Sequence, residues 1–379
     1  MKFIHLSDLH IGKRVNEYSM LEDQEYILNK IIKIIDETKP DGVIIAGDVY
    51  DKSVPSAEAV TLFDNFLVKL SNRKLFVFII SGNHDSPERI SFGAKLMQSN
   101  NIFISPVYDG KIEPVVLNDE YGEVNVWMLP FIKPVHIRKI FCDEQITTYT
   151  DAVRVAIENM NINNKERNIL ITHQFVTGAE RTESEEISVG GTDNVDVSVF
   201  QLFDYTALGH IHRAQYCGKD NIRYSGTPLK YSFSESKYNK SVTVVELCEK
   251  DNLKISTVPL IPLRDMVEIK GKYDEIVNRD FYKDTNYKND YMHITLTDEE
   301  DIIDAIGKLR TVYHNIMKLD YDNLRTRNEN SIDSIPFVEN KSPYEHFSEF
   351  YEKFNNQPMN EKQKKYMSEL IEKIWEDGI

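Results

Sequence analysis

Short apolar runs separated by amphipathic stretches set the rhythm of the first hundred residues. Phe3-Ile4-His5-Leu6, Val43-Ile44-Ile45-Ala46 and Phe76–Ile80 show no polar alternation, which is how strands buried on both faces read. Between the first two, Gln24–Thr38 places Ile27, Ile31, Ile34 and Ile35 at helical spacing, and Pro40-Asp41-Gly42 ends that helix. Leu62, Phe66 and Leu70 mark a second helix, with Pro55 expected at its first position. A third is expected around Glu88–Gln98. This βαβαβ order predicts a parallel sheet covered by helices.

Beyond residue 104 the segments shorten. Val124–Met128 alternates as a strand, 151–160 reads as a helix, and Ile169-Leu170-Ile171 and Tyr205–Leu208 return as buried strands. Further strands at 222–225, 241–247 and 254–259 suggest a second sheet packed on the first. The polar stretch 176–198 reads as a long loop close to the site described below. The expected architecture for 1–262 is therefore α/β, two stacked mixed sheets flanked by helices.

The character changes near Ile261-Pro262-Leu263. Residues 263–325 read as a small α+β domain with strands at Met266–Ile269 and Tyr291–Leu296. A helix is expected from Thr297, with Glu300 as its capping-box partner, through Ile316. Residues 326–342 are mostly polar and read as a linker. In 343–379, Phe347, Phe350, Tyr351 and Phe354 mark one amphipathic helix; an Asn360 cap with Gln363 opens another bearing Met367, Leu370, Ile371, Ile374 and Trp375. A short helix pair behind a linker has too little mass to bury its own aromatics, so it either folds back or docks on a partner.

The chemistry sits at the ends of the apolar runs. Asp8-Leu9-His10 follows the first, Gly47-Asp48-Val49-Tyr50-Asp51 the second, Gly82-Asn83-His84-Asp85 the third, His173 the Ile169 run, and Gly209-His210-Ile211-His212 the Tyr205 run. Open α/β sheets place ligands at the carboxyl ends of their strands. Asp8 alone could cap a helix, and His10 alone could be a core histidine; the ordered set carries the signal. Carboxylate, amide and imidazole donors together suit two divalent cations of the Mn²⁺, Fe or Zn type sharing one carboxylate. Such a pair clamps both oxygens of an in-line displacement at phosphorus. His210 and His212, two apart on an expected strand, should point the same way. His5 reads as a core or supporting histidine; His136, His293, His314 and His346 lie outside the five bursts.

Composition changes this picture little. The 379 residues are 41% hydrophobic, enough for a substantial core and more than one domain. No apolar stretch approaches the length of a membrane span, and the first strand begins at once, leaving no room for a signal peptide. Cys142, Cys217 and Cys248 are odd in number and far apart, which points to a reducing cytoplasm. The net charge of −16 argues against nucleic-acid binding by global electrostatics, although bound dications would offset it locally. None of the Gly-Lys pairs is followed by Ser or Thr, so no P-loop is present and any ATPase would be a separate polypeptide.

Taken in order, these bursts resemble the signature of the calcineurin-like metallophosphoesterase superfamily. The stretches Ile4–Gly12, Ala46–Asp51 and Tyr224-Ser225-Gly226-Thr227-Pro228-Leu229 are similar to its DNA-nuclease subunits in particular. The resemblance implies one metal on Asp8, His10, Asp48 and His212, and another on Asp48, Asn83, His173 and His210, most readily Mn²⁺. It implies His84 as the group that donates to the phosphate or leaving oxygen, oriented by Asp85, with Asp51 behind it. It further implies a nuclease on DNA ends, single strands and hairpins. The 263–325 domain would cap the site, 343–379 would dock on a coiled-coil ATPase, and two copies would pair within a heterotetramer. A phosphoesterase of small phosphodiesters or phosphoproteins, or a non-catalytic scaffold, are the competing readings.

Overall fold

A computed structural model of the chain describes residues 1–182, 194–300, 302–323, 326, 343–355 and 358–376. Met1–Tyr321 forms one compact unit and residues from Asp322 onward a second. The expected linker 326–342, apart from Thr326, lies outside the described residues, as do positions 183–193 of the expected loop.

Two six-stranded sheets and one three-stranded sheet build the first unit. In chain order the strands are β1 (Lys2–Leu6), a small ribbon of β2 (Arg14–Val15) and β3 (Tyr18–Ser19), β4 (Gly42–Ala46), β5 (Phe76–Ile80), β6 (Ile102–Ile104), β7 (Val115–Asp119), β8 (Gly122–Leu129), β9 (Arg167–His173) and β10 (Tyr205–Gly209). They continue as β11 (Gln215–Cys217), β12 (Lys219–Tyr224), β13 (Ser241–Leu247), β14 (Leu253–Pro259), β15 (Met266–Gly271), β16 (Tyr291–Leu296) and β17 (Asn315–Tyr321). The first sheet runs β14-β13-β1-β4-β5-β6 and the second β11-β12-β10-β9-β8-β7. The βαβαβ expectation is met: β1, β4 and β5 are parallel neighbours, joined by helices Leu21–Thr38 and Ala57–Ser71.

Burial explains why these runs became central strands. Phe3, Ile44, Phe78, Ile80, Val126, Ile169, Ile171 and Tyr205 interdigitate between the sheets. The opposite-facing Ile4, Val43, Ile45, Val77 and Ile79 pack under the two helices. Helix Tyr149–Glu158 covers the far side of the second sheet. Helices thus flank a double sheet, and the parallel strands of both sheets end at a common edge.

Several local expectations yielded to tertiary pairing. β13 and β14 join the first sheet, because β13 pairs antiparallel with β1 rather than extending the second. The second helix begins at Ala57 with Ser56 as its cap, so Pro55 precedes it instead of taking its first position. The expected helix at Glu88–Gln98 is broken into Pro87–Ile90, Ala94–Met97 and a 3-10 turn. The long helix expected from Thr297 is only Ala305–Arg310, capped by Asp304, and Ile316 belongs to β17, where it pairs against β16 and is buried. Its apolar spacing suited a helix, but the strand-length burial of Ile316 beside Met292 and Ile294 outweighs that local preference.

The third sheet, β15-β16-β17, is parallel throughout and has its own core of Ile269, Ile294, Leu296, Leu309 and Tyr313. Arg264 and the Tyr291 hydroxyl both reach the buried Asp23 carboxylate on the first helix, each at 2.7 Å. In the second unit, helices Pro343–Asn355 and Glu361–Glu376 are present as expected. Asn360 and Gln363 cap the latter reciprocally, at 2.9 and 3.0 Å.

Candidate metal centre

The turns after β1, β4 and β10 place Asp8, His10, Asp48 and His210 at positive φ, between 43° and 105°. L residues reach this region only where their surroundings impose it, and such strain gathers at functional sites. Here it lifts the side chains off the strand axes and turns them toward one point. Two glycines make the convergence possible. A Cβ at Gly47, whose φ is +85°, would strike the His173 ring, and one at Gly209 would collide with the Ala46 carbonyl.

Asp48 stands at the centre. The His84 backbone N–H donates to its Oδ1 at 2.9 Å, leaving Oδ2 between His173 Nε2 at 3.3 Å and His10 Nε2 at 3.6 Å. On one side, His10 and His212 bring their Nε2 atoms to 3.1 Å, beside the buried Asp8 carboxylate. On the other, Asn83 Oδ1 lies 3.0 Å from His173 Nε2 and 2.9 Å from His210 Nδ1. The two donor groups therefore meet at one carboxylate oxygen. His210 and His212 do not share a direction as a strand would require: β10 ends at Gly209, and the positive φ of His210 sends the two rings to opposite groups.

Supporting contacts fix each ring. His173 Nδ1–H donates to the Ala46 carbonyl at 2.9 Å, so its Nε2 is the atom left to bind. The His210 backbone N–H donates to both Asp8 oxygens, at 3.0 and 3.1 Å. His84 Nδ1–H donates to the Asp51 carbonyl at 3.0 Å. Asp85 was expected to orient the His84 ring; its carboxylate instead accepts from the backbone N–H groups of Val49, Tyr50 and Gly82 at 2.9–3.0 Å, bracing both turns. The Asp51 carboxylate lies 2.7 Å from Lys13 and 3.7 Å from His10 Nδ1.

Electrostatics favour a cation here. Burial raises Asp8 above the usual carboxylate range. Burial also opposes ionisation of Asp48, yet the surrounding imidazoles, His173 foremost, hold its carboxyl well below that range. Burial pushes His10 well down and His210 down to about 3, leaving both rings neutral, the form a cation would need. Burial would lower His173 too, but the Asp48 carboxylate outweighs it and raises the ring to about 9. Burial raises Asp85 to about 6.

The residues fit a pair of divalent cations. Ligands about 2.1 Å from an octahedral ion lie about 3 Å from one another, the spacing seen between these donor atoms. The facing pairs His10–His212, Asn83–His173 and Asn83–His210, at 2.9–3.1 Å, are all made of atoms able to ligate a cation. Two neighbours of the site were not foreseen from the sequence: Phe131, whose ring stacks on His210 at 6.5 Å, and Lys13, which lies 5.5 Å over the Tyr231 ring. Neither carries a motif; only the fold brings them to the site.

Residues 1–214 match the calcineurin-like phosphoesterase family. Residues 262–354 match the family described as the type 5 capsule protein repressor C-terminal domain. The chain is 37% identical to the SbcD subunit of the SbcCD nuclease of Staphylococcus epidermidis over 323 residues, which is 84% of this chain and 85% of that protein. Among solved structures it is similar to a dimetal phosphatase from Danio rerio, at 11% identity over 69% of this chain and 96% of that one, with a TM-score of 0.42. A Thermus thermophilus protein gives 13% identity over 68% and 98%, with a TM-score of 0.39.

Proposed function

We propose that this chain, which belongs to the calcineurin-like phosphoesterases and within them to the SbcD nuclease subunits, cleaves DNA phosphodiester bonds at a two-cation centre. The observation that carries the reading is Asp48 Oδ2, within 3.3–3.6 Å of an imidazole from each donor group. Asp8, His10, Asp48 and His212 would hold one cation, and Asp48, Asn83, His173 and His210 the other. The mixed oxygen and nitrogen donors favour Mn²⁺ over Mg²⁺. When bound, the two ions supply Lewis acidity toward phosphoryl oxygens and an acidified water nucleophile.

The chain's own residues do the rest. Asp48, its Oδ1 tied to the His84 N–H, keeps the two donor groups in register. His84, with Nδ1–H committed to the Asp51 carbonyl, acts as the imidazolium: its Nε2–H donates to a phosphate oxygen and passes that proton to the departing 3′ or 5′ oxygen, leaving the neutral ring. Asp85 holds the β4 and β5 turns at the separation this requires.

We further assign exonuclease action on double-stranded ends and endonuclease action on single strands and hairpins. The partner is an SbcC-type ATPase, docked on residues 343–379, with two copies of each chain in a heterotetramer in the cytoplasm. Residues 263–325 would cap the site, and 326–342 would link them to the docking helices. Phe350, Tyr366 and Leu370 are exposed on the helix pair, which supports a docking role. Among the described residues no helix is long and apolar enough to cross a membrane. The test is Mn²⁺-dependent cleavage of single-stranded circular DNA by the purified chain, with and without the ATPase. Rapid turnover of a small phosphodiester with no DNA cleavage would instead favour a small-molecule phosphoesterase.

A further inference from the structure

The stretch Ser225-Gly226-Thr227-Pro228-Leu229 stands out in the sequence, yet it contributes no ligand. In the fold it lies directly behind His212. The Thr227 N–H donates to the His212 carbonyl at 3.1 Å, and Ser225 Oγ meets Ser7 Oγ at 2.9 Å. The ammonium of Lys240 donates to that same carbonyl at 2.8 Å and to Thr227 Oγ1 at 2.6 Å. Its third partner is the Glu235 carboxylate, which is fully buried. The other Glu235 oxygen accepts the Tyr231 N–H at 3.2 Å and lies 3.9 Å from His212 Nδ1.

One buried ion pair thus addresses both ends of His212. Lys240 hydrogen-bonds the backbone carbonyl, and the Glu235 carboxylate faces the rear of the ring at 3.9 Å, a charge contact longer than a hydrogen bond. The ring's Nε2 faces His10 on the opposite side. A buried ion pair is a poor way to gain stability, since its desolvation offsets most of its attraction. A carboxylate behind a ligating imidazole does have a use: it fixes the tautomer, holds the ring and makes the ligating nitrogen more basic.

We propose that Glu235 and Lys240 are positioning residues for His212, setting the cation affinity of the Asp8–His10–Asp48–His212 group. This rests on His212 being a ligand. Ser225–Leu229 is the backbone platform on which the pair works, which accounts for a motif that supplies no ligand atom of its own but bonds the His212 carbonyl through the Thr227 N–H. The chain just beyond this segment reaches the third sheet and its entry, through Lys230 to Asp265 at 2.8 Å and Ser236 Oγ to Glu268 at 3.0 Å.

The experiment is calorimetric titration of the full-length, metal-stripped chain with Mn²⁺. The wild type should take up two ions. E235Q should weaken one binding event by about tenfold to a hundredfold and leave the other unchanged. Because E235Q strands the Lys240 charge, the double variant E235Q/K240M is titrated as well; it removes both charges and should show the same single weakened event, with a thermal midpoint near wild type. Wild-type affinity at both sites in the folded double variant would overturn the proposal. H212A separates the two readings: it should lose that same binding event. Loss in H212A with no change in E235Q/K240M would sink the positioning role alone. Two intact sites in H212A would sink the ligand assignment and the proposal with it.

Discussion

His84 donates its Nδ1–H to the Asp51 carbonyl at 3.0 Å, and that bond turns Nε2 toward the Asp48 carboxylate, 4.0 Å away. The ring therefore faces the candidate cation centre, where His84, His10 and Asp48 each bring a donor atom within 4.8 Å of the others. In the proposed function it acts as a proton donor rather than a ligand. Replacing His84 with Ala should leave bound Mn²⁺ near wild type while DNA cleavage falls at least about tenfold, the scale of losing a general acid. Metal content by elemental analysis beside the rate checks both halves. Joint loss of metal and activity would make His84 a ligand.

Asp48 is a different case, because its Oδ2 serves both groups. Asp48→Asn keeps the shape and removes the charge that would balance two dications in the proposed centre. Both Mn²⁺ binding events should weaken in calorimetry, and cleavage should fall by about a hundredfold or more. Weakening of only one event would show that Asp48 does not bridge.

If His173 is a ligand as proposed, protons and metal compete for its ring. Its raised value of about 9 lies above the ordinary histidine value of about 6.5. In the metal-free protein its charge thus contributes stability that is complete below about pH 6.5 and is lost as pH rises through 9. Ligation needs the neutral ring, so Mn²⁺ uptake at pH 7.5 should release about one proton. Titrations in two buffers of different ionisation enthalpy measure it, and identical heats would show that His173 is already neutral.

Arg167 and Asp119 tie β9 to β7 at the end of the second sheet remote from the metal centre. The Arg167 guanidinium holds the Asp119 carboxyl well below the usual range, and Arg167 also donates to the Cys248 carbonyl at 2.7 Å. A depressed carboxyl contributes stability above the unfolded value of about 4, lost as pH falls further. Asp119→Asn should cost about 2 kcal/mol at pH 7. In urea melts the gap to wild type should narrow below about pH 4; a gap independent of pH would refute the charge argument.

Deleting 343–379 should abolish binding to an SbcC-type ATPase in size-exclusion chromatography while metal-dependent endonuclease activity persists. Retained binding would place the docking surface elsewhere.

Local pattern was enough to set the central strands and the turns at their ends. Val43–Ala46 and Phe76–Ile80 are short, apolar without interruption, β-branched or aromatic in most positions and have Gly close behind, which favours buried strands over helix. The Gly-Asp and Gly-Asn-His-Asp turns emerge where they stop. The Asn360–Gln363 cap was legible for a similar reason, since its bonds span only three residues. Contacts made across long separations had to await packing. The periodicity of 302–316 suited a helix until β17 paired with β16, and β13 reads equally well in either sheet until it meets β1. The site divides along the same line. Its candidate ligands are announced by their turns, whereas the aim of His84 at the Asp51 carbonyl and the placement of the locally formed Glu235–Lys240 pair behind His212 depend on the packed fold. Residue order records which groups are available; packing settles which of their atoms face one another.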